Sequence, residues 1–391
     1  MKRIYYFLFL SLLVTACNRD DYENLSLGLR DYYNLPRFKK LELKSPYEGS
    51  HQWILHTDHG DSLLSTSKEY FFIKDQESTY NLEYSLDDCI EKLSHKFTIN
   101  VHKESPLYQS RVTKVFDYRP APGQFVNTMP KYVKGDTQRD MNTKVLNCLR
   151  RDILISLGAF GGYVVMGFDH SIYNKEGADF YIKGNSFYSD MLDPDDPKGG
   201  SSESGIVYVS MDRNKNGLPD DEWYELKGSA FAQTDRTYEI TYSYPTEHEP
   251  VPDGMMTDTL YCPWKDNRGH EGHVYKNQFH DQSYYPEWIK EDLVFHCSKL
   301  PSNAEDKSGS GTYWVQWCFD WGYVDNHPNA QIDKNSFDIS NAVDKNGLPV
   351  HLPCIDFVKV QTGQNQYCGW LGETSTEFSY FIDLNLGKPN V

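Results

Sequence analysis

Tyr163-Val164-Val165-Met166-Gly167-Phe168 is the stretch that decides the fold. Val164, Met166 and Phe168 alternate with residues that face the other way, which is the period of a β-strand. The pattern recurs in both directions along the chain. Ile206, Tyr208 and Ser210 alternate downstream, and Val358 and Val360 continue the theme. Upstream, Tyr80, Leu82 and Tyr84 form one set and Phe97, Ile99 and Val101 another. The 29 Tyr, 20 Phe and 8 Trp suit pleated surfaces, and 27 Gly and 19 Pro supply tight turns. The expectation is an all-β chain of short strands. Its exception lies at 137–150, where Thr137 and Asp140 have capping-box spacing and Met141, Val145, Cys148 and Leu149 follow at helical intervals.

The chain has 391 residues, enough for two or three domains, and a formal net charge of −17. So acidic a surface is repelled by nucleic-acid phosphates and anionic membranes, which excludes both as partners. Hydrophobic residues are 39% and charged residues 24%, a globular composition.

The first residues carry an address. Lys2 and Arg3 precede an apolar run from Ile4 to Val14, too short to cross a bilayer, and Val14-Thr15-Ala16-Cys17 follows. Basic, apolar, small and then Cys is the order of a bacterial lipoprotein signal. Residues 1–16 are read as a signal peptide and Cys17 as the lipidation site. Asp20-Asp21 resembles the acidic export signal of surface-exposed lipoproteins. The chain is expected at the outer membrane, facing the cell exterior, with lipid as its sole anchor. Seven cysteines remain besides Cys17, at spacings that form no CxxC pair. Disulfides and buried free thiols both stay open.

Residues 17–40 are polar and are expected to be a tether. From 41 to 105, short strands around Trp53 describe an immunoglobulin-like sandwich, and Asn81-Leu82-Glu83-Tyr84 and Phe97-Thr98-Ile99-Asn100-Val101 resemble strands of a PKD-like domain. Residues 106–391 are expected to form a large jelly-roll β-sandwich with long loops and one short helix. Pro120-Ala121-Pro122-Gly123-Gln124-Phe125-Val126-Asn127, Gly161 to His170, Asp212 to Trp223, Asp320 to Pro328, Ile355 to Val360 and Gly369 to Glu377 together resemble a family of bacterial cell-surface lipoproteins with PKD-like domains. That resemblance implies a ligand-binding protein beside an outer-membrane transporter, with a corrinoid such as vitamin B12 as one ligand. It places no ligand-contacting residue in this sequence.

The sharpest local motif is Asp212-Arg213-Asn214-Lys215-Asn216-Gly217-Leu218-Pro219-Asp220-Asp221-Glu222-Trp223. Oxygen side chains at Asp212, Asn214 and Asn216, the Leu218 carbonyl, and the acids Asp220, Asp221 and Glu222 are the donors of a loop that wraps structural Ca²⁺. Trp223 stands where an EF-hand has its Glu, so the loop joins strands rather than helices. The alternative is a solvated Asn-Gly hairpin. His270, His273 and His280 sit among glycines and read chiefly as solvated loop histidines rather than a zinc site.

No GxSxG, HExxH, P-loop or GxGxxG occurs, and Ser65-Thr66-Ser67-Lys68 lacks the companions of a serine acylase, so no catalytic residue is assigned. Tyr284, Tyr285, Trp288, Trp321 and Tyr323 are the candidate ligand-binding aromatics, set against their alternative role as sandwich core. The function expected is a surface binding protein for a transporter. A calcium-stabilised carbohydrate-binding protein and a glycoside hydrolase are its alternatives.

Overall fold

A computed structural model describes residues 27–87 and 92–390. Cys17, read from sequence as the lipidation site, and Cys89 lie outside the described residues. By contact the chain divides into two units. One comprises the chain up to Leu35 with Glu42–Phe71 and Ser78–Asn100; the other comprises Pro36–Leu41, Phe72–Glu77 and everything from Val101.

The small unit is built on a five-stranded sheet in the order Tyr32–Pro36, Lys92–His102, Ser78–Asp87, Ser50–Thr57, Gly60–Ser65. Alternation sets its core. Trp53 lies directly opposite Tyr84 across antiparallel strands, their ring centroids 4.2 Å apart, and Leu82 and Ile99 are buried with them. The indole N–H donates to the Ser67 carbonyl at 2.9 Å, so the ring is buried without losing its hydrogen bond. The tether reading of 17–40 gives way at Tyr32, because Tyr32–Pro36 is an edge strand of this sheet. Leu35 is buried and Tyr33 packs edge-on against Phe97, apolar area that a solvated tether would leave in water.

The large unit centres on a six-stranded sheet in the order Ala342–Val343, Trp223–Leu226, Gly205–Ser210, Cys354–Thr362, Tyr163–Tyr173, Lys114–Arg119. Every pairing in it is antiparallel. Register places Val164, Val360 and Val207 in one row and Met166, Val358 and Val209 in the next. All six side chains are 0% exposed. Each contributes about 1.5–3 kcal/mol of burial. The helix Gln138–Arg150 covers this face with Met141, Val145 and Leu149. Its N-cap is the expected box: the Asp140 amide donates to the Thr137 hydroxyl and the Thr137 amide to the Asp140 carboxylate. Among the described residues α-helix is confined to this segment.

The chain is therefore all-β with one helix, as its patterning predicts. The strands of the large unit are spread over several sheets. A four-stranded sheet, Glu271–Asn277, Met256–Asp266, Asp235–Tyr242, Leu293–Lys299, has its own apolar cluster. Two three-stranded sheets, Ser336–Phe337 with Phe180–Lys183 and Tyr380–Asp383, and Gly199–Gly200 with Trp314–Trp317 and Ala304–Asp306, and the two-stranded pair Ile155–Ser156 with Glu377–Phe378 lie beside them in the unit. Cys148, Cys262, Cys297, Cys318, Cys354 and Cys368 are all free thiols.

Trp53→Ala empties a fully buried ring site in the small unit. Chemical denaturation is expected to show a loss of about 3–5 kcal/mol; a loss under about 1 kcal/mol would mean the ring is not the centre of that core.

Candidate functional site

The five aromatic residues read from sequence as a binding surface do not form one. Tyr284, Tyr285 and Tyr323 are buried, each with a satisfied hydroxyl. The Asn277 amide donates to Tyr284 Oη at 3.2 Å, Tyr285 Oη donates to the Glu291 carbonyl, and the Ala230 amide donates to Tyr323 Oη at 3.1 Å. Trp288 is half-buried, stacks on Tyr118 and Tyr132, and donates from Nε1 to Gln138 Oε1 at 3.0 Å. Trp321 is also half-buried, and its amide donates to Ser229 Oγ. Tyr284, Tyr285 and Trp288 pack with the cluster of the four-stranded sheet, Tyr323 with a different one. The rings of Tyr284, Tyr285, Trp288 and Tyr323 are thus engaged inside the protein.

The 212–222 loop closes on itself. Asn214 Oδ1 accepts from the Asn216 amide and Asn216 Oδ1 from the Leu218 amide, while both Asn side-chain amides donate to the Asp220 carboxylate. Asp221 accepts from the Arg213 amide and Glu222 from the Tyr224 hydroxyl. Asp212 Oδ2 accepts from the Gly217 amide, but its Oδ1 is buried without a partner. Among the described residues no group of three or more His, Cys, Asp or Glu converges as a metal site. His270 bonds to Asp266 and His280 packs edge-on against Phe125, so the loop histidines serve separate partners.

The structure instead presents a cleft of about 540 Å³ in the large unit, within the usual range of ligand pockets. Its walls hold a concentration of exposed apolar side chains: Phe187 59%, Met191 74%, Phe279 53%, Trp370 38% and Leu371 39%. Singly, such residues need no explanation; gathered around one concavity they do. Each is held out by its loop. Gly369 and Gly372, at φ +56° and +91°, bracket the turn that carries Trp370 and Leu371. A Cβ on Gly369 would lie 2.5 Å from Trp314 Nε1. Gly200 lets the Phe187 loop lie against its strand, since a Cβ there would meet the Phe187 carbonyl oxygen at 2.3 Å. Phe279 and Trp370 face each other across the rim, 6.1 Å apart and edge to face.

Polar groups line the floor, among them Gln124, Asn185, Gln316, Glu203 and Glu377. Behind them stand two more acids, Asp325 and Glu373, both buried. Asp325, at φ +56°, accepts from the amides of Asn185 and Ser186 through Oδ1 and from the Glu377 amide through Oδ2. One strained carboxylate thus pins the loop of Phe187 to the segment of Glu377. Glu377 itself accepts from Asn185 Nδ2 at 2.8 Å and from Ser375 Oγ at 3.2 Å, and Glu203 accepts from the Ser375 amide. Glu373 accepts from the Gln124 amide through Oε1, while its Oε2 has no partner. Burial raises the pKa of all four, that of Glu373 to about 8, and proximity to Glu203 adds to the rise at the other three.

Another cavity of about 540 Å³ surrounds Lys359, but its amine lies 4.2 Å from the Tyr208 ring centroid, with Trp223 and Tyr163 also in cation–π range. Its charge is met inside the protein.

The cleft residues left a trace in the sequence that residue counting passes over. Phe187 follows Gly184-Asn185-Ser186, and Trp370-Leu371 stands between two glycines. The signal is weak by itself, since Phe160, set among Gly158, Gly161 and Gly162, is buried.

The fold and cleft together define an all-β protein with an aromatic-walled, acid-floored pocket. No protein-family model matches the chain, and no curated protein does. Among solved structures, the SusE-like protein BT2857 aligns over 90% of this chain and 94% of its own, at 8% identity and a TM-score of 0.31. A structure concerned with the promiscuous specificity of carbohydrate-binding modules from the β-sandwich superfamily aligns over the same shares at 9% identity and a TM-score of 0.15. Likeness of this size assigns this chain no function.

A buried carboxyl with a raised pKa holds its proton in the folded state more tightly than in the unfolded one. Its contribution is present below the unfolded value and is lost as pH rises through the folded value. Stability is therefore expected to fall between about pH 5 and 8. Glu373→Gln is expected to flatten that fall by roughly 2–4 kcal/mol, read from denaturation midpoints across the range. A mutant that retains the full slope would show that Glu373 does not titrate there.

Proposed function

We propose that this chain is a surface binding protein, lipid-anchored through Cys17 at the outer membrane, whose large unit holds a carbohydrate in the Phe187–Phe279–Trp370 cleft. The observation that carries the reading is the gathering of exposed rings around a polar floor. Aromatic faces stack on the apolar faces of sugar rings, and amide and carboxyl groups beneath accept or donate to hydroxyls. Gln124 shows how the floor is held: its side chain donates to the Leu371 carbonyl and accepts from Asn277, tying the Trp370 turn to the four-stranded sheet. A pocket so braced is preformed, which lowers the entropic cost of binding.

A glycan array followed by calorimetry tests this. Trp370→Ala is expected to weaken the best glycan by about tenfold while leaving the melting temperature within about 2 °C, because the ring is partly exposed. The bound glycan is expected back at its original length. A blank array together with retention of cyanocobalamin on the immobilised protein would overturn the carbohydrate reading, and shortened glycan would replace binding with hydrolysis.

The same reading includes structural Ca²⁺ in the 212–222 loop, supported by the buried, unpartnered Asp212 Oδ1. Calcium would be held by Asp212, Asn214, Asn216, Asp220 and the Leu218 carbonyl and would clamp the flanking strands. Excess Ca²⁺ is expected to raise the melting temperature of chelator-treated protein, and Asp212→Ala to abolish the rise. Identical melting curves with and without calcium would leave the loop a hairpin.

A further inference from the structure

Elsewhere in the large unit several acids are given cations, while Asp179, 0% exposed, is met by the Lys175 and Ile339 amides. Glu104 receives Arg37 through two hydrogen bonds of 2.8 and 2.9 Å. Asp356 receives Lys40 at 2.5 Å, and Asp383, 0% exposed, receives His170 at 2.8 Å. At the cleft floor, Glu203, Asp325, Glu373 and Glu377 interact with one another and with amides and hydroxyls, and among the described residues no lysine, arginine or histidine forms an ion pair with any of them. Glu373, 3% exposed, leaves Oε2 with no partner at all. Without a counter-charge these buried carboxyls keep their protons, and a cation brought beside them favours the ionised form; a buried polar oxygen without a donor is costly in either state. Three backbone amides compensate Asp325. Nothing of that kind compensates Glu203, Glu373 and Glu377 together.

What lies above them is the cleft. Its rings present π faces, which attract a cation as well as stacking on a sugar. The floor has carboxyl and amide oxygens, but no group of three or more His, Cys, Asp or Glu converges as a metal site among the described residues. The missing charge therefore fits an organic ammonium better than a metal.

We propose that the cleft recognises an amino-bearing sugar, with its ammonium directed at Glu203 and Glu377 and its ring against Trp370 and Phe279. This rests on the carbohydrate reading of the same cleft and names the ligand class within it. The ammonium donates up to three hydrogen bonds, enough to serve both carboxylates and still meet the face of a ring. Charge-assisted bonds of this kind are stronger than neutral ones, and an N-acetyl group cannot make them. The acid floor is then a selectivity device: it accepts the free amine and gives the acetylated sugar no counterpart.

The test compares three oligosaccharides of one length in neutral buffer by calorimetry: a glucosamine oligomer, its N-acetylated counterpart and the unsubstituted glucan. The glucosamine oligomer is expected to bind about tenfold more tightly than the other two. Glu203→Gln and Glu377→Gln, which keep side-chain size, are expected to remove that preference, with folding checked by circular dichroism. Trp370→Ala is expected to weaken all three. Equal binding of the three by the wild-type protein, with Trp370→Ala still weakening them, would overturn the ammonium proposal and leave the carbohydrate cleft standing. Binding of all three that is indifferent to Trp370→Ala, or no binding of any, would overturn both. The wild-type comparison does not depend on any variant folding.

Discussion

The antiparallel register of Tyr163–Tyr173 against Cys354–Thr362 is the constraint on which the large unit depends. Because side chains alternate, that register puts Val164 beside Val360 and Met166 beside Val358 on one face, and a slip of one residue would turn all four toward the other. The opposite face is aromatic and polar: Tyr208 lies across from Lys359, and Tyr163 meets Phe295 of the four-stranded sheet edge to face. One face makes the main core and the other contributes to separate clusters. A sheet used on both faces leaves the loops as the place where side chains are free to meet a ligand.

Those loops are held by polar contacts rather than by apolar burial. Asp325 fixes Asn185 and Ser186, Gln124 ties the Trp370 turn to Asn277, and Thr376 donates to the Glu203 carbonyl at 2.7 Å. A polar network of this sort is costly unless complete. It is complete around Asp325 and incomplete at Glu373, which stands behind the cleft floor. Structural economy alone would have put an apolar residue or a cation there. A floor of acids under a rim of rings makes physical sense as a place that waits for a partner.

Much of the architecture was legible in the residues. Period-two alternation identified the strands at 163–168, 206–210 and 358–360, and the Thr137/Asp140 box with Met141, Val145 and Leu149 identified the helix, because both signals are local. The edge strand at Tyr32–Pro36 was not legible, since a short polar-flanked strand shows itself only through its partner, Lys92–His102. The binding surface was misread for a related reason. Tyr284, Tyr285, Trp288, Trp321 and Tyr323 were picked by aromatic density, and density is what a β-sandwich core also produces. The cleft is assembled from Phe125, Phe187, Phe279, Trp314 and Trp370, single rings far apart in sequence that only the fold brings together.

The central claim is that ligand binds where those five rings meet. Hydrogen–deuterium exchange with the tightest-binding oligosaccharide tests it without altering a residue. The account predicts slowed exchange confined to the backbone around 185–191, 279–280 and 369–372, where the rim and its hinge glycines lie. Slowed exchange centred instead on 284–288 and 321–323, or on the strands of the small unit, would contradict it.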